Sequence, residues 1–381
     1  MKRTVHELMI MLLAMCCVSV QAGAQDSIPD EDFVIASLLI ASPGDAVYSR
    51  FGHCAIRMQC SEHDLDYVFS YESDDAGKRV ISFLAGKLRM GLFAVHTQDY
   101  LKPYSDDGRG MMEYVLNLPL DVKRNLWRVL DNRMLLEKDV PYDFIERGCA
   151  YGSLQLIKEA LDTIGIEYGE WPSEYSLSRR EICHKLLDNH PWDRAFTYFF
   201  VNGCIDSPCS REEKIILPQM LLERFETATV AGQKLLDGNS VELLPVVFSQ
   251  PEERPLVTPL MVSILLLAIA LVCLFTGKHC LDVPLLIIQA LLGLAVIYLT
   301  LFSTLCCTEW NWLIIPFTPL PLIGWHWRRV WFRWYAYIIL VWSAAMLLWP
   351  HILTDSAYIV LSSAFAVNML SITDKTKQKT R

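Results

Sequence analysis

The feature that most constrains this chain is the segregation of its charge from its apolar residues. Nearly all acidic residues precede Arg254, and five apolar runs follow it: about Leu260 to Phe275, Val283 to Phe302, Trp310 to Ile323, Val330 to Leu348, and Ile352 to Leu370. A single core does not reconcile such halves, because cores usually stop growing near ~250 residues. The 381 residues therefore divide between a water-solvated domain and a lipid-solvated unit. A spanning helix needs ~20 apolar residues, with ~17 as the lower end, so the first and third runs are short, and the third is rich in proline. Three basic clusters punctuate this half: Lys278; Arg328, Arg329 and Arg333; and Lys375, Lys377, Lys379 and Arg381. Such clusters stay in the cytoplasm. With the preceding domain outside, five crossings put all three inside. The expectation is a five-span all-α bundle over residues 258–371, followed by a cytoplasmic basic tail, 372–381.

The first residues read Met1-Lys2-Arg3, then an apolar stretch from Leu8 to Val20, then Ala22-Gly23-Ala24. That is the order of a secretory signal peptide, 1–24, cleaved after Ala24. Cys16 and Cys17 offer a lipoprotein-type alternative, but the small residues expected before a lipidated cysteine are missing. The net charge of -9 comes without a basic stripe to neutralise phosphates, which argues against a nucleic-acid partner. Of the twelve cysteines, two leave with the signal and four lie in the apolar half. The exported domain, expected over 25–231, keeps Cys54, Cys60, Cys149, Cys183, Cys204 and Cys209. Cys204 and Cys209 are spaced to close a small loop in an oxidising compartment, whereas Cys183 reads as a small buried hydrophobe. No spacing resembles a zinc site, and neither metal nor cofactor is expected. Residues 232–257, with scattered Gly and Pro, read as a linker to the bilayer.

Within the exported domain, Ile35 to Ile40 is an apolar run stopped by Ser42-Pro43-Gly44-Asp45, a strand followed by a turn. Cys54 to Met58 and Asp66 to Glu72 read as two further strands of a hairpin. Residues 112–118 alternate, with Tyr114, Leu116 and Leu118 on one face and Glu113 and Asn117 on the other, as in a half-buried strand. Asp121 to Leu136 turns helical. Leu154, Ile157, Leu161 and Ile164 recur at spacings of three and four, which predicts a helix with one buried face beginning near Cys149 and ending at Gly165.

Two stretches carry candidate chemistry. Tyr48-Ser49-Arg50-Phe51-Gly52-His53 leaves a Pro-Gly turn and delivers a histidine to a strand edge. Pro141-Tyr142-Asp143-Phe144, followed by Gly148-Cys149-Ala150, delivers a cysteine to a helix start. A thiol becomes nucleophilic near neutral pH when its pKa is lowered, and both a helix N-terminus and a neighbouring imidazole do this. A histidine with an unperturbed pKa of ~6.5 takes up and returns the protons that acyl chemistry moves. Against this stands the ordinary alternative of a structural histidine beside a turn and a buried cysteine. Other histidines have weaker settings: His63 in an acidic loop, His96 in a polar turn, His184 and His190 near helix ends.

The run Ala41 to Arg57 containing Gly52-His53, then Asp66 to Tyr71, Phe83 to Leu88, Tyr142 to Phe144 and Cys149-Ala150, resembles the Lnb family of lipoprotein N-acyltransferases of Bacteroidetes. The resemblance covers nearly the whole mature chain. It implies an α+β periplasmic domain of the permuted NlpC/P60, papain-like kind, joined to a membrane region. By that resemblance Cys149 is the nucleophile and His53 the general base. An orienting residue is expected on the strand beside His53: Ser70, where the family pattern has Asn, or Glu72 or Asp66, with Tyr48 and Asp143 in support. Gly148 likewise stands where Asn is expected. Glu309, Trp310 and Asn311, before the third apolar run, form a candidate membrane-side substrate loop, although aromatic residues there also suit an interfacial belt.

The implied function is transfer of an acyl chain from a phospholipid, through a Cys149 thioester, to the α-amine of a diacylated lipoprotein at the bacterial inner membrane. Two other readings remain open: a membrane-anchored periplasmic cysteine hydrolase using the same pair, and a non-enzymatic envelope binding protein in which Cys149 is buried or disulfide-bonded.

Overall fold

The computed structural model describes residues 34–46, 49–73, 80–142, 148–162, 164–170, 178–200, 215, 217–247, 255–278, 280–305, 308, 311–324, 328–348 and 355–378. Residues 1–24, expected as a signal peptide, and Cys204 and Cys209 lie outside these residues.

The N-terminal part opens with β1 (Val34–Ala41), β2 (His53–Cys60) and β3 (Leu65–Glu72), then a short helix α1 (Val80–Leu84), β4 (Arg89–His96) and α2 (Thr97–Asp106). β5 (Met111–Leu116), α3 (Leu120–Leu136), β6 (Val140–Pro141) and α4 (Cys149–Leu161) follow. Then come α5 (Arg179–Leu186), α6 (Pro191–Phe200), α7 (Pro218–Glu226), the ribbon β7 (Thr229–Val230) with β8 (Gln233–Lys234), and β9 (Leu236–Leu244). Seven strands form one sheet in the order β6-β4-β3-β2-β1-β5-β9, antiparallel throughout.

Side-chain alternation along these strands serves two different layers. Leu38, Ile56, Met58 and Phe69 face the main core, built with Leu126 and Leu130 of α3, Leu154 and Ile157 of α4, and Leu221 and Phe225 of α7. Leu39, Ala55, Val68 and Met111 face α2 through Tyr100. The second face also carries buried charge. Arg57 reaches Asp66 at 2.7 Å and Glu113 at 3.0 Å. Glu113, on the polar face of its strand by alternation, is therefore buried, because α2 covers that face and Arg57 neutralises it. A carboxylate of this kind is tolerated only when paired and hydrogen-bonded.

Two expectations are corrected here. Residues 232–257 are not a linker throughout, since β9 pairs with β5 from Leu116↔Leu236 to Met111↔Leu244. As an edge strand with mostly exposed side chains, it lacks the apolar alternation that betrays a buried strand. His96, read as part of a polar turn, is the last residue of β4 and pairs with Tyr67.

The C-terminal part contains α8 (Pro259–Thr276), α9 (Asp282–Phe302), the one-turn α10 (Leu320–Ile323), α11 (Arg328–Leu348) and α12 (Ser356–Gln378). Among the described residues, four helices are long and apolar enough to cross a membrane: α8, α9, Val330–Leu348 of α11 and Ser356–Thr373 of α12. The third apolar run is thus not a fifth spanning helix. It folds as a 3-10 turn, Trp312–Ile314, and the single turn α10, because Pro316, Pro319 and Pro321 remove amide donors and clash with a continuing helix. Neighbouring helices meet the freed backbone groups. Gln289 of α9 donates to the Pro316 carbonyl at 2.7 Å, and Tyr335 of α11 donates to the Ile315 carbonyl. Phe317 is fully buried.

This broken segment approaches α9 closely at Gly293, where an added Cβ would lie 2.4 Å from the Cα of Thr318 and 2.6 Å from its nitrogen. Backbone cannot swing aside as a flexible side chain can. Gly293→Val is expected to destabilise the protein by ~1–3 kcal/mol through overpacking, read as a lower midpoint of thermal unfolding in detergent. Leu291→Ala, at an exposed position of the same helix, should change it by no more than about 0.5 kcal/mol.

Candidate functional site

His53 stands where a tight turn enters β2. Gly44 donates to the Ser49 carbonyl at 3.0 Å and Ser49 to the Ala46 carbonyl at 2.8 Å. Gly52 then takes φ of 73°, a left-handed conformation that glycine adopts without penalty, and a Cβ there would meet the Ala41 carbonyl at 2.9 Å. Two arginines brace the turn from opposite sides. Arg109 donates to the Ser42 carbonyl at 2.9 and 2.7 Å. Arg50 donates to the Gly44 carbonyl at 3.1 Å and, through Nε, to Asp193 of α6 at 3.1 Å.

Cys149 is the first residue of α4, and its N-cap, Gly148, supplies no side-chain acceptor. The first-turn amides of such a helix carry partial positive charge without an intrahelical partner. Cys149 is a free thiol, half-buried against the main core. α4 itself packs on β2 and β3, so closely that a Cβ at Gly152 would lie 2.5 Å from the Tyr71 ring. This docking carries the helix start to the end of the sheet where β2 begins.

There His53 lies close enough to Cys149 for each to act on the other's charge. Burial pulls the imidazole pKa down, but the Cys149 charge and hydrogen bond, aided by the Glu72 charge, more than reverse this, leaving it raised above 6.5. The Cys149 thiol is held well below its ordinary 9.0: a hydrogen bond from Cys54 leads, burial opposes, and the His53 charge and hydrogen bond add to the lowering. Cys54 moves the other way, pushed up by burial and by the charge of Cys149. The shifts of His53 and Cys149 run toward the charged forms and that of Cys54 away from it, and the Cys54 thiol donates to Ser153 Oγ at 3.9 Å.

On its other side, His53 Nε2 lies 2.8 Å from Ser70 Oγ, and Ser70 is buried. Tyr100 of α2 lies near Ser70, and its hydroxyl is 3.2 Å from that of Tyr104. Register explains the contact: β2 and β3 pair as Ile56↔Phe69, which sets Ser70 on the same face as His53, diagonally across the strands.

The other expected residues divide. Glu72 acts on His53 through charge. Asp66 does not reach the site, being occupied by Arg57 and Thr97. Its carboxyl is held low because those hydrogen bonds outweigh burial. Asn311 is buried, and both ends of its amide are used inside the protein: Nδ2 donates to the Phe199 carbonyl at 2.8 Å, and Oδ1 accepts from Leu313 at 2.9 Å. Tyr48, Asp143, Glu309 and Trp310 lie outside the described residues. A cleft of about 340 Å³ lined by His63, Lys123, Trp127 and Arg128 sits at the opposite end of β2 and contains none of the site residues. Sequence reading missed Cys54 and Tyr100. The signal for Cys54 was its place after His53, where alternation turns it toward the helix face. Tyr100 had no signal.

A pH prediction follows from the directions of these shifts. The thiolate is present above the lowered Cys149 pKa and is lost as pH falls through it. Alkylation of Cys149 by iodoacetamide should therefore persist well below pH 9 in the wild-type protein. His53→Ala, which removes a positive partner, should move the midpoint upward. An unmoved midpoint, read by mass spectrometry of the labelled peptide, would separate the two groups.

The comparisons with known proteins bear on both halves. A family model described as the Lnb N-terminal periplasmic domain matches residues 25–173. A second, described as the Lnb transmembrane domain, matches residues 251–379. Comparison with curated proteins and with solved structures gives no match. The two family matches cover the turn of His53, the start of α4 and all four long apolar helices, and the chain belongs to the Lnb family, with a periplasmic N-terminal domain and a C-terminal membrane region.

Proposed function

We propose that the protein is an acyltransferase of the bacterial inner membrane that moves an acyl chain from a phospholipid, through Cys149, to the α-amine of a diacylglyceryl-cysteine lipoprotein. One observation carries this reading over simple hydrolysis. The core against which Cys149 packs also contains Leu299 and Leu305, from the end of the apolar helix α9 and the residues just after it. The candidate nucleophile and the end of an apolar helix thus belong to one packed unit, which would hold Cys149 at a fixed place relative to an acyl donor anchored in the bilayer.

In the proposed mechanism the Cys149 thiolate attacks the ester carbonyl of the donor. The oxyanion develops near the α4 amides, which are oriented beforehand and so stabilise charge without reorganisation. The His53 imidazolium gives its proton to the departing glycerol oxygen, releasing a lysophospholipid and leaving a thioester and neutral His53. The acceptor amine then attacks the thioester carbonyl, His53 takes the amine proton, and the thiolate leaves as the amide forms. Protons balance over the two steps. Ser70 orients the imidazole through its contact with Nε2. Exclusion of water by the apolar surroundings favours the amine over hydrolysis.

The same proposal includes a permuted NlpC/P60-like core, with histidine on a strand and cysteine starting a helix, and a multi-pass topology of five crossings. The start of α12 is bound to the domain by Arg194–Asp355 at 2.7 Å, and the residues after α9 are bound to it by Thr304 donating to the Gly86 carbonyl at 2.9 Å. The basic cluster beginning at Arg328 opens α11. The third crossing is then the broken segment around Phe317 rather than a helix, and irregular backbone at such depth is tolerated when protein buries and satisfies it.

Incubation of the purified protein with phospholipid, followed by hydroxylamine, should release acyl hydroxamate originating at Cys149. Recovery of free fatty acid alone would instead mean a hydrolase. Cys149→Ala and His53→Ala should each lower transfer by several orders of magnitude, whereas Ser70→Ala, removing one neutral hydrogen bond of about 1 kcal/mol, should cost roughly fivefold. Restored lipoprotein N-acylation in cells carrying Cys149→Ala would overturn the assignment.

A further inference from the structure

Helix α6 has an unusual outer face. Of its ten residues, the two most exposed are aromatic: Trp192 at 50% and Phe196 at 39%. They are four apart and so lie on one side of the helix. Of the rest, Ala195, Thr197, Tyr198 and Phe200 are buried and the other four partly so. Large aromatics alone on an otherwise packed helix are not what water selects, and a contiguous apolar patch signals a surface that something covers.

The position of α6 indicates what covers it. The helix rests on the domain-side ends of the apolar segments. Trp192 Nε1 donates to the Val257 carbonyl at 2.8 Å, two residues before α8 begins. Arg194 pairs with Asp355, and Tyr358 donates to the Ala195 carbonyl at 2.6 Å, both at the start of α12. Asn311, at the head of the broken segment, donates to the Phe199 carbonyl. Leu256 and Val257, beside Trp192, are themselves 94% and 56% exposed. An aromatic face at this level, where spanning helices leave the hydrocarbon, matches the headgroup layer, because Trp joins an apolar ring to a hydrogen-bonding edge.

We infer that α6 is an interfacial helix whose Trp192 and Phe196 face lies in the phospholipid headgroup layer, and that through Asp193 and Arg50 it holds the His53 turn at the membrane surface. The occupant is lipid, and the linkage to the site is direct. Asp193, between the two halves of the aromatic pair in sequence, accepts from Arg50, which in turn holds the Gly44 carbonyl. The inner face of α6 continues the linkage: Phe200 meets Phe83 edge to face at 5.8 Å, and Phe83 packs on Tyr142.

Photo-crosslinking of the full chain in nanodiscs of phosphatidylethanolamine and phosphatidylglycerol tests this without reference to catalysis. Benzophenone-bearing residues would be introduced singly at Trp192, at Phe196 and, as a control, at His63 in the exposed β2–β3 turn. Mass spectrometry after irradiation should find phospholipid adducts at either or both α6 positions and none at His63. Absence of lipid adducts from both α6 positions, adducts only to protein there, or equal lipid labelling at His63 would each overturn the inference. Because the readout needs no active Cys149, its failure would leave the acyl-transfer reading standing, and failure of that reading would leave this one standing.

Discussion

An apolar helix that leaves a bilayer must cover its last turn with something other than water. In this protein the core of the periplasmic domain covers α9 in part: Leu299 and Leu305 are buried in the same cluster as the sheet, α3, α4 and α7, while Leu301 and Phe302 stay exposed. At 21 residues α9 is ~31 Å long, about the ~30 Å of a hydrocarbon layer, so no apolar length is left over for a free linker. The domain therefore sits directly on the membrane region. Hydrogen bonds at Gly86, Ala195 and Phe199 and the Arg194–Asp355 pair then fix its orientation. Were the two units joined only by a flexible connection, the surface near Cys149 would have no defined relation to lipid.

A buried imidazole on its own would be neutral, and a buried thiol would hold its proton, since desolvation penalises both charges. Burial alone lowers the His53 pKa and raises that of Cys149, yet the Cys149 charge raises the first, and the Cys54 hydrogen bond, joined by the His53 charge, lowers the second. The helix start adds amides with no intrahelical partner.

Much of this was legible in the residues. The strand-turn-strand from Val34 to Cys60, the helix starting at Cys149, and the pairing that brings Ser70 to His53 all follow from local patterns: a Pro-Gly stop, spacings of three and four, and alternation across a hairpin. Other elements had no such pattern. β9 packs only one flank of a sheet edge and carries a solvent-facing sequence. Glu113 is buried by an arginine 56 positions away. Asp66, nominated for the site by its place on the right strand, is occupied by Arg57 and Thr97 instead.

Local patterns were enough to place the two solvents, the order of the units and the candidate cysteine and histidine, because hydropathy and turn chemistry act over a few neighbouring residues. It took the fold to set His53 and a buried Cys54 near Cys149, to brace the proline-rich run as a broken segment with Gln289 and Tyr335, and to present the α6 aromatics beside the ends of α8 and α12. Those facts join residues tens to hundreds of positions apart, and the free energy that joins them comes from packing and charge pairing across the fold rather than from any local preference of the chain.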